Sequence, residues 1–347
     1  MPHDILLRKA EVAGIRGLPY QWLTSYLEDR SQIVDVSGHL SQPVKLSYGV
    51  VQGSILGPIL FIIFINDIIN VEGLDKIILY ADDTTLYCEG PDVTTAAYLA
   101  NNFASRVSSW FNSNRVSVNI SKCKCMFFNT DPTERLQICI GSQPLECVNC
   151  FKFLGLNIDY SLSFKEHTDL TILKLKSSLA ALSHLKHLVS KRCLIMVYFS
   201  LFQSIFEFSC ELYGCRQKSI SARVTQIQKK AMRIIFGSKS NITQEMINHN
   251  TYSFDVIVNR KICIFMYNAY HLRLPNRLNS LFIRNYDVNL RHSKYLYNFK
   301  SIRPNTNIFS QSLSITGIQS WNKLPRHIKE ASTLQLFKRL IKSYNPK

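Results

Sequence analysis

Acidic residues are scarce in the second half of the sequence. Residues 171–347 contain 28 Lys and Arg against 6 Asp and Glu, whereas residues 1–170 contain 13 against 18. The formal net charge of +17 therefore comes from the second half. Because few carboxylates compensate this positive charge, the pattern favours a polyanion as the partner of the second half. The alternative is a basic surface that only keeps the protein solvated.

An apolar run long enough to cross a bilayer is also missing, since a crossing needs about 20 residues. The run at residues 55–65 is shorter and contains Pro58, and the run at residues 193–210 is interrupted by Gln203 and Glu207. Both runs predict buried helices. The opening MPHDILLRKAEV lacks the apolar segment of a signal peptide. We therefore expect an intracellular protein of the nucleus or cytoplasm, neither secreted nor associated with a membrane.

The ten cysteines follow no regular spacing. Cys147 and Cys150 form a CxxC pair, but no second CxxC or HxxxH accompanies them. A structural zinc site needs four ligands at recognisable spacing. We expect reduced thiols that serve as small apolar residues, with a zinc site as the less favoured alternative.

The order of predicted elements indicates the α+β class. Hydrophobic residues make up 46% of the 347 residues, which is enough for a core, and the length suggests about two domains. Helices alternate with short antiparallel strands in residues 1–160. Helices dominate afterwards, and we divide that part into residues 161–240 and a basic region at residues 241–347.

Two adjacent aspartates, Asp82 and Asp83, stand between apolar strand-forming runs in IILYADDTTLY, residues 77–87. Adjacent carboxylates on a turn between strands can hold a divalent cation such as Mg²⁺, which takes oxygen ligands. Phosphoryl transfer with two metal ions requires carboxylates from at least two places. The alternative is an ordinary exposed turn with two acids.

The YADD sequence follows a glycine-rich segment, GVVQGSILGP, at residues 49–58. In this order the two segments resemble the palm of reverse transcriptases, and specifically of the jockey-like non-LTR retrotransposons. Further segments resemble the same family in order along the chain: WFNSNRVSVNISKCKCMFF, FKFLGLNID, IQKKAMRII and SWNKLPRHIKEASTLQLFKRLIKSYN. The resemblance implies a partial polymerase palm, built of an antiparallel sheet with helices, followed by a mainly helical thumb and C-terminal region.

The resemblance also implies roles for single residues. Asp82 and Asp83 would be catalytic metal ligands for Mg²⁺, or for Mn²⁺ as the alternative. Lys122 would donate a proton or contact the phosphate of the leaving pyrophosphate. The implied partners are an RNA template, a DNA primer and deoxynucleotides, with no obligate protein partner.

Other residues would bind the substrates. Those implied for the nucleotide and template pocket are Gln52, Gly53, Tyr80 and Ala81, and those implied for the primer grip are Phe153, Leu154 and Gly155. Glycine allows the backbone to approach a ligand closely, which suits the glycine-rich segment. Each residue also has a purely structural interpretation, such as a turn, a packing contact or a surface lysine.

The sequence departs from the family pattern at two places. Val51 stands where the family usually has proline. A strand with a further catalytic aspartate is expected shortly before His3, so we expect an N-terminally truncated polymerase of weakened or lost activity. The alternative is a non-catalytic nucleic-acid-binding remnant.

A basic amphipathic helix is predicted at residues 223–237. Its apolar residues fall toward one side, and Lys229, Lys230 and Arg233 fall elsewhere, which suits contacts with a nucleic-acid backbone. The alternative is a solvated cationic face.

Overall fold

The computed structural model describes residues 1–71, 73, 76–215, 218–237, 241–288 and 296–344. Helices and small strand pairs make up the described residues, which agrees with the predicted α+β class. The chain divides into two compact units, Met1–Asn149 and Cys150–Lys347. This division falls ahead of the predicted one after residue 160.

The first unit combines four α-helices with short strands. The helices are α1 (His3–Val12), α2 (Leu18–Leu27), α3 (Leu56–Ile65) and α4 (Val93–Ser113), with 3₁₀ turns at Asn66–Asn70, Ile120–Lys122 and Pro132–Glu134. The strands are β1 (Ser31–Gln32), β2 (Asp35–Val36), β3 (His39–Leu40), β4 (Val44–Lys45), β5 (Ile77–Tyr80), β6 (Asp83–Leu86), β7 (Lys124–Cys125), β8 (Cys139–Ile140), β9 (Gln143–Pro144) and β10 (Glu146–Cys147). The pairs β1–β4, β2–β3, β5–β6 and β8–β9 are antiparallel, and β7–β10 is parallel.

The core of the first unit lies between α1, α2, α3 and α4, whose buried side chains form one apolar cluster. Lys9 of α1 reaches into this core. Its ammonium lies 4.5 Å from the Phe64 ring centroid and 4.4 Å from that of Trp110, and it pairs with Asp67 at 2.7 Å. Burial lowers the pKa of Lys9, and the carboxylate of Asp67 opposes that shift. A charged group is therefore held inside the core because an acid and two rings compensate it.

Helix α3 corrects one prediction. Residues 55–65 were expected to be buried, but Ile55, Ile59 and Ile62 are exposed, while Leu60 and Phe64 are buried. The spacing of the three exposed residues follows one face of the helix. An apolar run on its own does not say that every face of its helix is covered.

The second unit opens with one antiparallel hairpin, β11 (Cys150–Phe153) and β12 (Leu156–Asp159), and is helical afterwards. The helices are α5 (Lys165–Leu185), α6 (Lys191–Val197), a π-helical turn (Tyr198–Gln203), α7 (Ser204–Glu207), α8 (Cys210–Tyr213), α9 (Lys218–Phe236), α10 (Ile242–Asn248), α11 (Phe254–Tyr270), α12 (Asn276–Asn279), a 3₁₀ turn (Asn285–Val288), α13 (Asn307–Ser310), α14 (Leu313–Asn322), α15 (Arg326–Lys329) and α16 (Leu334–Ser343).

Helix α11 lies at the centre of the second unit and packs against α8, α9, α14 and α16. Tyr267 of α11 stacks on Phe337 with ring centroids 4.5 Å apart, and Trp321 stacks on Phe337 at 5.8 Å. All three side chains are fully buried. Stacked and edge-on rings of this kind contribute about 0.5–1.5 kcal/mol per pair beyond their area.

None of the helices in the described part of the chain combines the length and the apolar character that a membrane crossing requires. The ten cysteines are free thiols. The described residues contain no group of three or more His, Cys, Asp or Glu that could hold a metal ion.

Candidate active site

Asp82 and Asp83 lie at the tip of the β5–β6 hairpin. Tyr80 pairs with Asp83, which leaves Ala81 and Asp82 as a two-residue turn. Ala81 has a positive φ of 50°, a region that a residue with a Cβ adopts at a steric cost. A strained turn of this kind is typical of functional sites, where the surrounding structure maintains it.

The two faces of this hairpin differ. Ile77, Leu79 and Leu86 pack against the core of the first unit. Tyr80 lies on the opposite face and is 61% exposed, and its partner Asp83 is exposed beside it. Alternation along the strands thus anchors one face in the core and presents a phenol ring and a carboxylate to solvent on the other.

The two carboxylates have no hydrogen-bond or ion-pair partner among the described residues, and both are exposed. They supply hard oxygen donors of the kind that Mg²⁺ prefers, and Mg²⁺ in proteins commonly uses one or two carboxylates together with waters and substrate phosphates. The pair therefore fits a single Mg²⁺. The described residues bring no third acidic ligand to it.

Gln52 and Gly53 form the centre of a tight turn ahead of α3. The Ser54 N–H donates to the Val51 carbonyl at 3.2 Å, and Gly53 has φ 82°. These are the features of a type II turn, in which the third residue needs a positive φ and is usually glycine. Gln52 is exposed at the apex.

The same glycine-rich segment is tied to the start of the chain. The Gly49 N–H donates to the Met1 carbonyl at 2.8 Å, and the His3 Nε2 is hydrogen-bonded to the Gly49 carbonyl at 2.8 Å. The turn is thus held at one end by these bonds. At its other end α3 begins, with the Ser54 hydroxyl accepting from the Gly57 N–H at 3.0 Å.

One apolar cluster supports both the acid-pair hairpin and the glycine-rich turn. Val50 and Leu56, which flank the turn, pack on the same cluster as Ile77 and Leu79 of the hairpin. Lys122 is exposed on the 3₁₀ turn that follows α4 and has no acidic partner among the described residues. The described contacts place it in the same unit but do not join it to the acids.

The predicted primer-grip residues lie in the second unit, at the tip of the β11–β12 hairpin. Phe153 pairs with Leu156, and the two-residue turn between them consists of Leu154 and Gly155. Both turn residues have a positive φ, 46° for Leu154 and 88° for Gly155. This is a type I′ turn, which normally has Asn or Asp rather than leucine at its first position.

Helix α9 presents the predicted cations on its outer face. Val224, Ala231 and Met232 are fully buried. The exposed cations of the helix are Arg223, Lys229, Lys230 and Arg233. Arg223 pairs with Asp169 at 2.7 Å, whereas the other three have no acidic partner among the described residues.

Two further cations were not predicted from the sequence. Lys186 and Lys191 flank the turn between α5 and α6 and line a cavity together with Arg233. The segment HLKHLVSKR, residues 184–192, is rich in basic residues and contains the Ser190 helix cap. That combination was the available signal, but only the packing of α6 on α9 shows that these lysines adjoin Arg233.

Comparison with known proteins agrees with the resemblance. Residues 1–158 match the family model described as reverse transcriptase (RNA-dependent DNA polymerase). The chain is 25% identical over 229 residues to the RNA-directed DNA polymerase from mobile element jockey of Drosophila melanogaster, covering 63% of this chain and 25% of the relative. It is 30% identical over 251 residues to the probable RNA-directed DNA polymerase from transposon BS of the same organism, covering 67% of this chain and 27% of the relative.

A third relative is the probable RNA-directed DNA polymerase from transposon X-element of Drosophila melanogaster, 27% identical over 222 residues, which covers 62% of this chain and 24% of the relative. The chain thus spans about a quarter of the length of these relatives. The family match includes both the glycine-rich turn and the acid-pair hairpin. Residues 1–158 are therefore similar to reverse transcriptases, and about two thirds of the chain is similar to the RNA-directed DNA polymerases of the jockey, X-element and BS mobile elements.

Proposed function

We propose that this chain carries the RNA-directed DNA polymerase function of a non-LTR retrotransposon. In that reaction the primer 3′-hydroxyl attacks the α-phosphorus of a deoxynucleotide. The new P–O bond forms as the bond to the β-phosphate breaks, and pyrophosphate leaves. The observation that supports this most directly is the pair of exposed, unpartnered carboxylates on a strained, core-anchored hairpin within the family match.

Asp82 and Asp83 would hold Mg²⁺, or Mn²⁺ in its place. When bound, such a cation neutralises charge on the phosphates and on the attacking and leaving oxygens. The hairpin would position the two carboxylates, because its Ile77 and Leu79 side chains pack on the core of the first unit. Lys122 would donate a proton to the leaving pyrophosphate or contact its phosphate.

The glycine-rich turn would line the nucleotide and template pocket. Gln52 is presented at the apex of the turn, and the absence of a side chain on Gly53 leaves the backbone open to a substrate. Tyr80 and Ala81 would lie beside the primer terminus. Residues 1–160 would then form a partial palm.

The second unit would hold the nucleic acid. Phe153, Leu154 and Gly155 would support the primer strand, and Lys229, Lys230 and Arg233 would contact the backbone. Residues 161–240 would act as the thumb, and residues 241–347 as a basic helical extension. The partners would be an RNA template and a DNA primer, with no obligate protein partner, in the nucleus or cytoplasm.

A second candidate function is nucleic-acid binding without synthesis. The charge of the second half favours it, since 28 Lys and Arg against 6 Asp and Glu serve binding whether or not the acid pair is active. The two functions differ in one measurable respect, which is extension of a primer.

Primer extension on an RNA template with Mg²⁺, and then with Mn²⁺, tests the proposal. We expect weakened extension by the wild-type chain, and a further loss of at least about 100-fold in Asp82→Asn. Glu28→Gln, which removes an exposed acid of the same unit at the end of α2, serves as the matched control and should extend normally. Equal extension by Asp82→Asn and wild type would refute the role of the acid pair. Binding of an RNA–DNA hybrid without any primer extension would support the second candidate function, nucleic-acid binding without synthesis.

A further inference from the structure

A cavity in the second unit is lined by three cations. It has a volume of about 520 Å³, and Lys186, Lys191 and Arg233 contribute its charge. Its apolar wall includes Val189, Leu194 and Phe236. The described lining contains no acidic residue.

The charge in this cavity is uncompensated. None of its three cations has an acidic partner in the described part of the chain, although other cations of the unit do. Arg223 pairs with Asp169 at 2.7 Å, and Lys261 pairs with Glu207 at 3.3 Å. Three like charges that line one cavity without an acid repel one another, so the site is suited to a bound anion.

The surrounding structure positions these cations. Helix α6 packs on both α5 and α9. The Lys191 ammonium lies 5.4 Å from the centroid of the Phe236 ring, which is itself buried. The Ser190 side chain caps α6 beside it by accepting from the Cys193 N–H at 3.4 Å. The site is therefore built from three packed elements.

We infer that this cavity is a phosphate subsite for a single strand of RNA, with Lys186, Lys191 and Arg233 contacting one or two phosphates. The inference rests on the proposed function for its choice of nucleic acid. A cavity of this size has room for one nucleotide, whereas the rigid backbone of a duplex would meet mainly the rim. Basic grooves with apolar or aromatic walls are typical of single-strand binding.

The test is the salt dependence of binding between the full chain and a fluorescent 12-nucleotide single-stranded RNA. For Lys186→Gln with Lys191→Gln we expect the slope of log affinity against log salt to shrink by about 0.7 if one phosphate contact is lost and by about 1.4 if two are lost. The double variant with Arg at both positions should keep the wild-type slope. Lys174→Gln with Lys176→Gln is the matched control, since both lysines are exposed and lie on α5, about 15–18 Å before its C-cap residue Lys186.

The outcomes separate this inference from the proposed function. If the wild-type chain binds RNA and Lys186→Gln with Lys191→Gln behaves like the control, the assignment of the cavity is wrong while the proposed function stands. If the wild-type chain binds no RNA, both fall. A duplex of the same length should lose less affinity than the single strand, and an equal loss on both would refute the single-strand assignment. If inorganic phosphate, added at the same total concentration of phosphate groups as the RNA, displaced the RNA completely, the cavity would be a site for free anions instead.

Discussion

At the scale of single residues, both hairpins that we propose to contact the substrates carry a side chain in the left-handed region. Ala81 has φ 50° in the acid-pair turn, and Leu154 has φ 46° in the primer-grip turn. The residue pattern could not predict these angles, since leucine and alanine are poor choices for such positions. The hairpins themselves were predictable, because apolar and β-branched residues flank each turn.

Leu154→Asn separates conformation from contact. Asparagine tolerates a positive φ, so we expect the free energy of unfolding to rise by about 1 kcal/mol. If Leu154 contacts the primer strand, the KM for primer–template should rise at the same time. Urea denaturation and primer-extension kinetics measure the two effects. A more stable variant with unchanged KM would show that Leu154 has no part in primer binding.

Lys329 gives a second prediction at this scale. It is 5% exposed, and its ammonium donates to Asn298 Oδ1 at 2.7 Å and to the Asn322 carbonyl at 3.0 Å. Burial lowers the pKa of Lys329 to about 8 from an ordinary value of 10.5. Between these values the unfolded chain binds more protons than the native one, so stability rises with pH.

The expected effect is a difference between wild type and Lys329→Met. Above pH 8 the free energy of unfolding of the wild type should rise relative to the variant by about 1.4 kcal/mol per pH unit until the unfolded lysine also titrates. Urea denaturation at pH 7, 8 and 9 measures this difference. A constant difference across that range would contradict a lowered lysine pKa.

At the scale of elements, the start of α5 depends on one buried carboxylate. Asp159, at the end of β12, accepts from the Ser163 N–H at 2.9 Å and from the Phe164 N–H at 2.6 Å. The Ser161 hydroxyl donates to it at 2.6 Å. Burial alone would raise the pKa of Asp159, but these hydrogen bonds outweigh it and lower the pKa from 3.8. The sequence placed a boundary near this residue without revealing its role.

Asp159→Asn should lower the free energy of unfolding by about 2–3 kcal/mol at pH 7, because an amide cannot accept all of these hydrogen bonds. The wild-type advantage should be complete above the ordinary carboxyl pKa and disappear as the pH falls through the lowered value. Asp169→Asn, within α5 and in a half-exposed ion pair, is the control and should cost less than about 1 kcal/mol. Equal losses in urea denaturation would refute the capping role.

The longer helices of the first unit could be predicted from the sequence, and their surroundings could not. Apolar periodicity predicts helices at residues 18–28 and 94–114, and α2 and α4 agree with these spans to within one residue at each end. Asp4 is a residue type that commonly caps helices, which predicts a helix at residues 4–14 that starts there. The structure instead begins α1 at His3, and Asp4 pairs with Arg115 in its first turn. Long-range partners such as Arg115 leave no local signal. The exposed face of α3 and the cavity lined by Lys186 also depend on long-range packing, so the sequence alone did not predict them.

At the scale of the whole molecule, each unit has its own core. The cluster of the first unit runs from Ile5 to Trp110, and that of the second runs from Leu156 to Ile341. The predicted division after residue 160 would remove Leu156 and Asp159 from the second unit. Apolar periodicity locates helices, but it does not say to which of the two cores a hairpin belongs.

Two fragments test where the second unit begins. We expect residues 150–347 to unfold cooperatively, and residues 161–347 to be less stable by about 4 kcal/mol or more, from the lost burial of Leu156 and the lost bonds of Asp159. Urea denaturation of both fragments measures the difference. Equal stabilities would place the hairpin outside the cooperative unit.

The exposed, unpartnered state of Asp82 and Asp83 has a thermodynamic consequence. Two carboxylates satisfy only part of the coordination shell of a hard cation, so the oxygens of a triphosphate would complete it. Cation and deoxynucleotide should then bind with positive coupling, and each should raise the affinity of the other by the same factor. Titration calorimetry measures that factor when the cation is titrated with and without deoxynucleotide, and the deoxynucleotide with and without the cation. A value of one would mean that the acid pair binds its cation without help from the nucleotide. With a factor of one, the hairpin alone would supply the protein's contribution to cation binding. A large factor would mean that the phosphate oxygens of the nucleotide complete the coordination shell of the cation.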